Sequence, residues 1–117
     1  MTFEAAERLL KAPALFGAAV FHCQQAAEKA LKGFLAWHDT PFRKTHDLEE
    51  SGEACIAIDA TLRETIERAI PLTEYAWKFR YHGEPEEPTR EEAEEALVAA
   101  RDVYAAIAAL LPEEAKP

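Results

Sequence analysis

"FHCQQAAEKALKGFL", Phe21 to Leu35, decides the fold. Extended at both ends, it carries Phe16, Ala19, Cys23, Ala26, Ala30, Phe34 and Trp37 at three- and four-residue spacing, so one apolar stripe runs along a long helix. Such a stripe must pack against neighbours. Gln24, Gln25, Glu28, Lys29 and Lys32 form the other side and read as a solvated face, where Glu28 and Lys32 make an i,i+4 pair worth roughly a few tenths of a kcal/mol. The alternative for the adjacent glutamines, set among alanines, is close helix approach with amide hydrogen bonds across an interface.

Working outward, the same periodicity continues. Thr2 caps a short helix that ends near Lys11, with Phe3, Ala6, Leu9 and Leu10 apolar, and Pro13 suits the first turn of the long helix. "HDTPF", His38 to Phe42, breaks that helix. Thr45 caps a third, with Asp47, Glu49 and Glu50 near the positive end of its dipole. Gly52 weakens this helix by about 1 kcal/mol against alanine, so Leu48, Cys55 and Ile56 must hold it by packing. Asp59 caps a fourth helix bearing Leu62, Ile66, Ile70, Thr73, Trp77 and Arg80, with a kink or restart at Pro71. Thr89 and Glu92 form a capping box that opens a last helix carrying Ala93, Leu97, Ala100, Tyr104, Ile107 and Leu111 before Pro112. No segment sustains a period of two. The expected fold is all-α, an up-and-down bundle of four or five helices forming a single domain over residues 1–117.

Composition narrows the function. The formal net charge of −9 opposes broad binding to duplex DNA, which favours a basic face. No run is long enough to span a bilayer and no signal peptide is evident, so a cytoplasmic protein with no membrane role is expected. Cys23 and Cys55 lie in apolar helical patterns with no CxxC pair, and read as buried thiols of a reducing compartment. The carboxylates of "EEPTREEAEEA", Glu86 to Ala96, lack an accompanying ExxH and read as a solvated, dipole-favoured run, not as metal ligands. Phosphate-binding glycine loops, GxSxG, HExxH and deaminase signatures are missing from the sequence, and no metal or cofactor is expected.

Two polar clusters remain. "KFRYHGEPEEPT", Lys78 to Thr89, puts Arg80, Tyr81 and His82 between an apolar helical run and an acidic hinge. Guanidinium binds phosphate in a bidentate manner and imidazole moves protons near neutral pH; a helix end also attracts cations for purely structural reasons. In "KTHDL", Lys44 and His46 can approach Lys29 or Lys32 and form a small positive pocket at a helix N-terminus, where free amides favour an anion. Structure alone accounts for the same cluster through helix capping by Thr45.

"QQAAEKALKGFL", then "KTHDLEE", then "FRYHGE", then an acidic start to an alanine-rich last helix, resembles the HEPN domain family over nearly the whole chain. The family's name abbreviates higher eukaryotes and prokaryotes nucleotide-binding. The resemblance implies a helical bundle, a two-fold homodimer, pairing with a minimal nucleotidyltransferase as in toxin–antitoxin systems, and work on nucleotides or RNA. HEPN ribonucleases carry an Arg and a His separated by four to six residues, which meet across the dimer in a metal-independent site. Here one residue separates Arg80 from His82, and Arg43 is also too near His46. His82 stands where related chains place Pro in an Arg-Tyr-Pro-Gly turn, so it reads as a turn residue. Arg80 and Tyr81 fit the family pattern, Arg80 for a phosphate or acidic partner and Tyr81 for stacking. The expectation is a non-catalytic module that binds nucleotide, RNA or partner through Arg80, Tyr81, Lys44, His46, Lys29 and Lys32. The alternative is a ribonuclease with an atypical site made from Arg80 and His82.

Overall fold

The structure is a computed structural model that describes residues 16–42, 48–71 and 88–115. Four α-helices fill most of these segments: α1 (Phe16–Trp37), α2 (Leu48–Ile58), α3 (Arg63–Ala69) and α4 (Arg90–Ala109). Short 3-10 turns at Ala60–Leu62 and Glu113–Ala115 complete the helical structure, and the described residues contain no strand. The fold is all-α, as the periodicity predicts. The expected first helix, the Thr45 cap and the stretch through Thr73, Trp77 and Arg80 lie outside the described residues.

α1 forms the centre. It packs chiefly against α4 and secondarily against α2, while α3 packs against α4. Val20, Ala27, Ala30, Leu31, Phe34 and Leu35 of α1 share one buried cluster with Leu48 and Cys55 of α2, Ile66 of α3, and Ala93, Ala96, Ala100, Val103 and Ile107 of α4. Alanine loses no side-chain entropy on burial, and small side chains at a helix contact let the axes approach closely. Trp37, expected at the end of the buried stripe, is instead 49% exposed. The chain turns away directly after it, and its side chain projects past the core.

That turn has a defined geometry. Asp39 takes the left-handed conformation, φ 53°. Its N–H donates to the Ala36 carbonyl at 3.1 Å, and the Thr40 N–H donates to Leu35 at 2.9 Å, the paired bonds of a Schellman motif. The break expected in "HDTPF" is therefore made by a residue that usually yields this position to glycine.

α2 and α3 are short and depend on mutual contact. Leu48, Cys55 and Ile56 are buried, as the sequence requires. Gly52 is buried too, and a Cβ built there would lie 2.5 Å from Cγ2 of Ile66. A β-branched side chain in a helix has little rotamer freedom, so the methyl cannot swing away. The glycine that weakens α2 locally is what admits α3. Cys55 donates its thiol to the Leu31 carbonyl at 3.5 Å, and burial pushes the Cys23 and Cys55 thiols up to about 12. Neither forms thiolate readily.

The remaining helix ends follow local chemistry. Asp59 caps the 3-10 turn that leads into α3, accepting from the Thr61 N–H and hydroxyl. Those bonds, with the charge of His38, hold its carboxyl below the usual range. α3 stops at Ala69, and the backbone becomes helical again at Pro71, so the proline marks an interruption as expected. Thr89 and Glu92 form the full capping box of α4: Glu92 N–H donates to Thr89 Oγ1 at 3.1 Å, and Thr89 N–H donates to Glu92 Oε1 at 2.9 Å. Ala93, Leu97, Ala100, Ile107 and Leu111 are buried, and Tyr104 is half-buried.

Two substitutions test these contacts by urea unfolding. Gly52→Ala gains about 1 kcal/mol of helix propensity but meets Ile66, and should lower stability by about 1–3 kcal/mol net. In combination with Ile66→Ala its cost should fall well below additivity, and a stabilising Gly52→Ala would exclude the close contact. Asp39→Gly should raise the urea midpoint by the equivalent of about 1 kcal/mol, with the slope unchanged, because it removes the left-handed strain.

Candidate functional site

On the polar side of α1, Gln24, Glu28 and Lys32 fall one turn apart. Gln24 Nε2 donates to Glu28 Oε2 at 3.0 Å, and Lys32 Nζ donates to Glu28 Oε1 at 2.6 Å. Gln24 is 3% exposed and Glu28 7%. This corrects the expectation of a solvated face: the glutamine and the carboxylate are drawn into the protein, and only the lysine end approaches water.

Burial changes the weight of the pair. A carboxylate leaving water loses hydration worth several kcal/mol, which only a counter-charge and well-aligned donors offset. Here both carboxylate oxygens have donors on the same helix. The short bond to Lys32 is charge-assisted and stronger than an exposed i,i+4 pair. Held from both sides, Glu28 is placed to anchor Lys32 more than to abstract a proton. Lys32 also lies 5.9 Å from the centroid of the Phe42 ring, so the segment after the Asp39 turn runs back beside it.

Lys29 and Lys32 were predicted to contribute to one positive pocket. In the structure Lys32 is matched by Glu28, while Lys29 is exposed on the adjoining flank. Lys44, His46, Arg80, Tyr81 and His82 lie outside the described residues. Sequence reading missed the buried ladder, although Gln-x3-Glu-x3-Lys among alanines is its visible trace. It also passed over His22, whose Nδ1 is buried without a hydrogen-bond partner among the described residues.

No group of three or more His, Cys, Asp and Glu among the described residues is arranged to hold a metal ion. Nor is any helix among them long and apolar enough to cross a membrane. Trp37, Phe42 and Ile58 expose apolar surface at the ends of α1 and α2 and in the segment between them. His38, just after α1, acts through its charge on Asp59, just after α2.

Glu28→Ala should lower stability by about 2–3 kcal/mol, since it removes the buried carboxylate that accepts from both the Gln24 amide and the Lys32 ammonium. Glu28→Gln, which keeps an acceptor for Gln24, should cost less. Urea unfolding at neutral pH reads both, and a loss under about 0.5 kcal/mol for the alanine variant would return Glu28 to the solvated class.

The family model described as HEPN domain matches residues 1–110. No curated protein and no solved structure matches the chain. With all but the last few residues matched, the chain belongs to the HEPN family.

Proposed function

We propose that this protein is a non-catalytic HEPN module: a homodimer that pairs with a minimal nucleotidyltransferase and binds nucleotide or RNA. Membership of the family points to work on nucleotides or RNA. The observation that carries the non-catalytic reading is the spacing of Arg80 and His82, with a single residue between them where the family's ribonucleases have four to six. A phosphate contact through Arg80, stacking on Tyr81, and charge from Lys44, His46, Lys29 and Lys32 make up the proposed binding surface. The ion pair of Lys32 with Glu28 lowers its share, so Lys29 is the stronger contributor from α1.

Self-association has support in the exposed apolar side chains. Trp37 at 49%, Phe42 at 42% and Ile58 at 36% leave large hydrophobic groups in water, which a symmetric contact would cover. A toxin–antitoxin role follows the same reading, with the HEPN chain as the partner that the nucleotidyltransferase regulates.

The test is incubation of the purified protein with a mixed pool of labelled RNAs, with and without chelator, beside Arg80→Ala and His82→Ala. The expected result is binding without cleavage, weakened about tenfold by Arg80→Ala and little changed by His82→Ala. Metal-independent cleavage lost in both variants would overturn the reading in favour of an atypical ribonuclease. Native mass spectrometry of the same sample should give a dimer; a monomer at micromolar concentration removes that part of the proposal.

A further inference from the structure

α4 has a second face that the core does not use. Glu91, Glu95, Val98 and Asp102 recur at four-, three- and four-residue spacing, a stripe of three turns and roughly 16 Å. Together with Glu94, Ala99 and Arg68 of α3, they line an open groove of about 550 Å³. Its character is mixed. Val98 is 56% exposed, the most exposed large hydrophobic side chain among the described residues. Among the described residues, four carboxylates face one guanidinium, and Glu91, Glu95, Asp102 and Arg68 form no ion pair, while Glu94 reaches Arg90 only at 4.0 Å.

A metal ion does not fit this arrangement, because the carboxylates are strung along the helix and do not converge in threes. Capping explains part of the stripe: Glu91 sits in the first turn, where the dipole favours it. Asp102 lies three turns later, in the second half of α4, and gains nothing from that end. An exposed valine between acids likewise gains nothing from water. Helical spacing, an apolar centre and acids on either side of it are what one helix presents to another that carries cations in register.

We propose that the groove between α3 and α4 docks a basic amphipathic helix of a partner protein. Small apolar side chains of that helix cover Val98 and Ala99, and its Lys or Arg residues pair with Glu91 and Glu95 at one end and Asp102 at the other. Arg68 sets the orientation by repelling cations from the α3 wall. The groove lies on α3 and α4 and does not include Lys29 of α1.

The experiment uses the full-length protein and a synthetic 18-residue Lys/Leu amphipathic helical peptide, followed by fluorescence anisotropy. A Glu/Leu peptide of the same pattern and spermine serve as comparison ligands. Micromolar binding of the basic peptide is expected, with none of the acidic one. Glu91→Gln/Glu95→Gln/Asp102→Asn should weaken it about tenfold and flatten its salt dependence. Val98→Ser should weaken it about fivefold while leaving the salt dependence intact, which a purely electrostatic attraction would not produce. Glu53→Gln/Glu64→Gln/Glu114→Gln, an equal charge change outside the groove, should leave affinity within about twofold. Equal losses for the two triple variants, indifference to Val98→Ser, or full competition by spermine with no dependence on Val98 would each overturn the proposal, as would the absence of binding.

Discussion

Burial of the central helix is the constraint on which the rest depends. α1 has neighbours in both α2 and α4, so the buried part of its circumference is wider than a single apolar stripe can fill. Val20, Ala27, Leu31 and Leu35 enter the core beside the expected residues, and Gln24 and Glu28 are carried in with them. A carboxylate in that position is tolerable only if it is paired, and the helix supplies the pairing from its own next and preceding turns. The position of the Lys32 ammonium thus follows from packing. A charge that could have served a phosphate is committed to Glu28, so in the binding surface proposed above Lys29 is the stronger cation of α1.

The acidic character of the chain has a structural origin of a similar kind. Glu91 and Glu92 lie in the first turn of α4, where free N–H groups favour negative charge, and Glu92 also closes the capping box. Those carboxylates stabilise the helix that packs most closely on α1. Their repulsion of nucleic acid is limited by range: screening at physiological salt confines it to about 8 Å, so a basic site on another face can still attract an anion. Net charge opposes binding of duplex DNA by a broad basic face and leaves room for a local site.

Much of the fold could be read from the sequence because helix boundaries depend on a few residues acting locally. Thr89 with Glu92, the "HDTPF" break, and Pro71 each act within one turn, and each appears where expected. Features set by a distant element were less legible. Nothing near Gly52 in the sequence announces that Ile66 requires the space of its missing side chain. Trp37 shows the opposite limit: its spacing continues the stripe, but exposure was decided by where the Asp39 turn removes the chain from its neighbours. Of the candidate site, the lysines of α1 were found as residues while their inequality was not, because period alone cannot tell a solvated polar face from one that a neighbour covers.

Among the exposed apolar side chains of the described residues, which also include Leu110 after α4, two groups bear on the contacts proposed above. Trp37, Phe42 and Ile58 belong to the α1 and α2 ends, and none of them lines the groove that holds Val98. The first group is aromatic-rich and so suits a symmetric contact in which each copy covers the other's rings. The second is a single valine among acids, too small to hold a partner by hydrophobic burial alone but effective where complementary charge orients it. Self-association through one would leave the other open to a basic partner. If both contacts form as proposed, salt would weaken the second while hardly affecting the first, so that a dimer would persist while its partner exchanges.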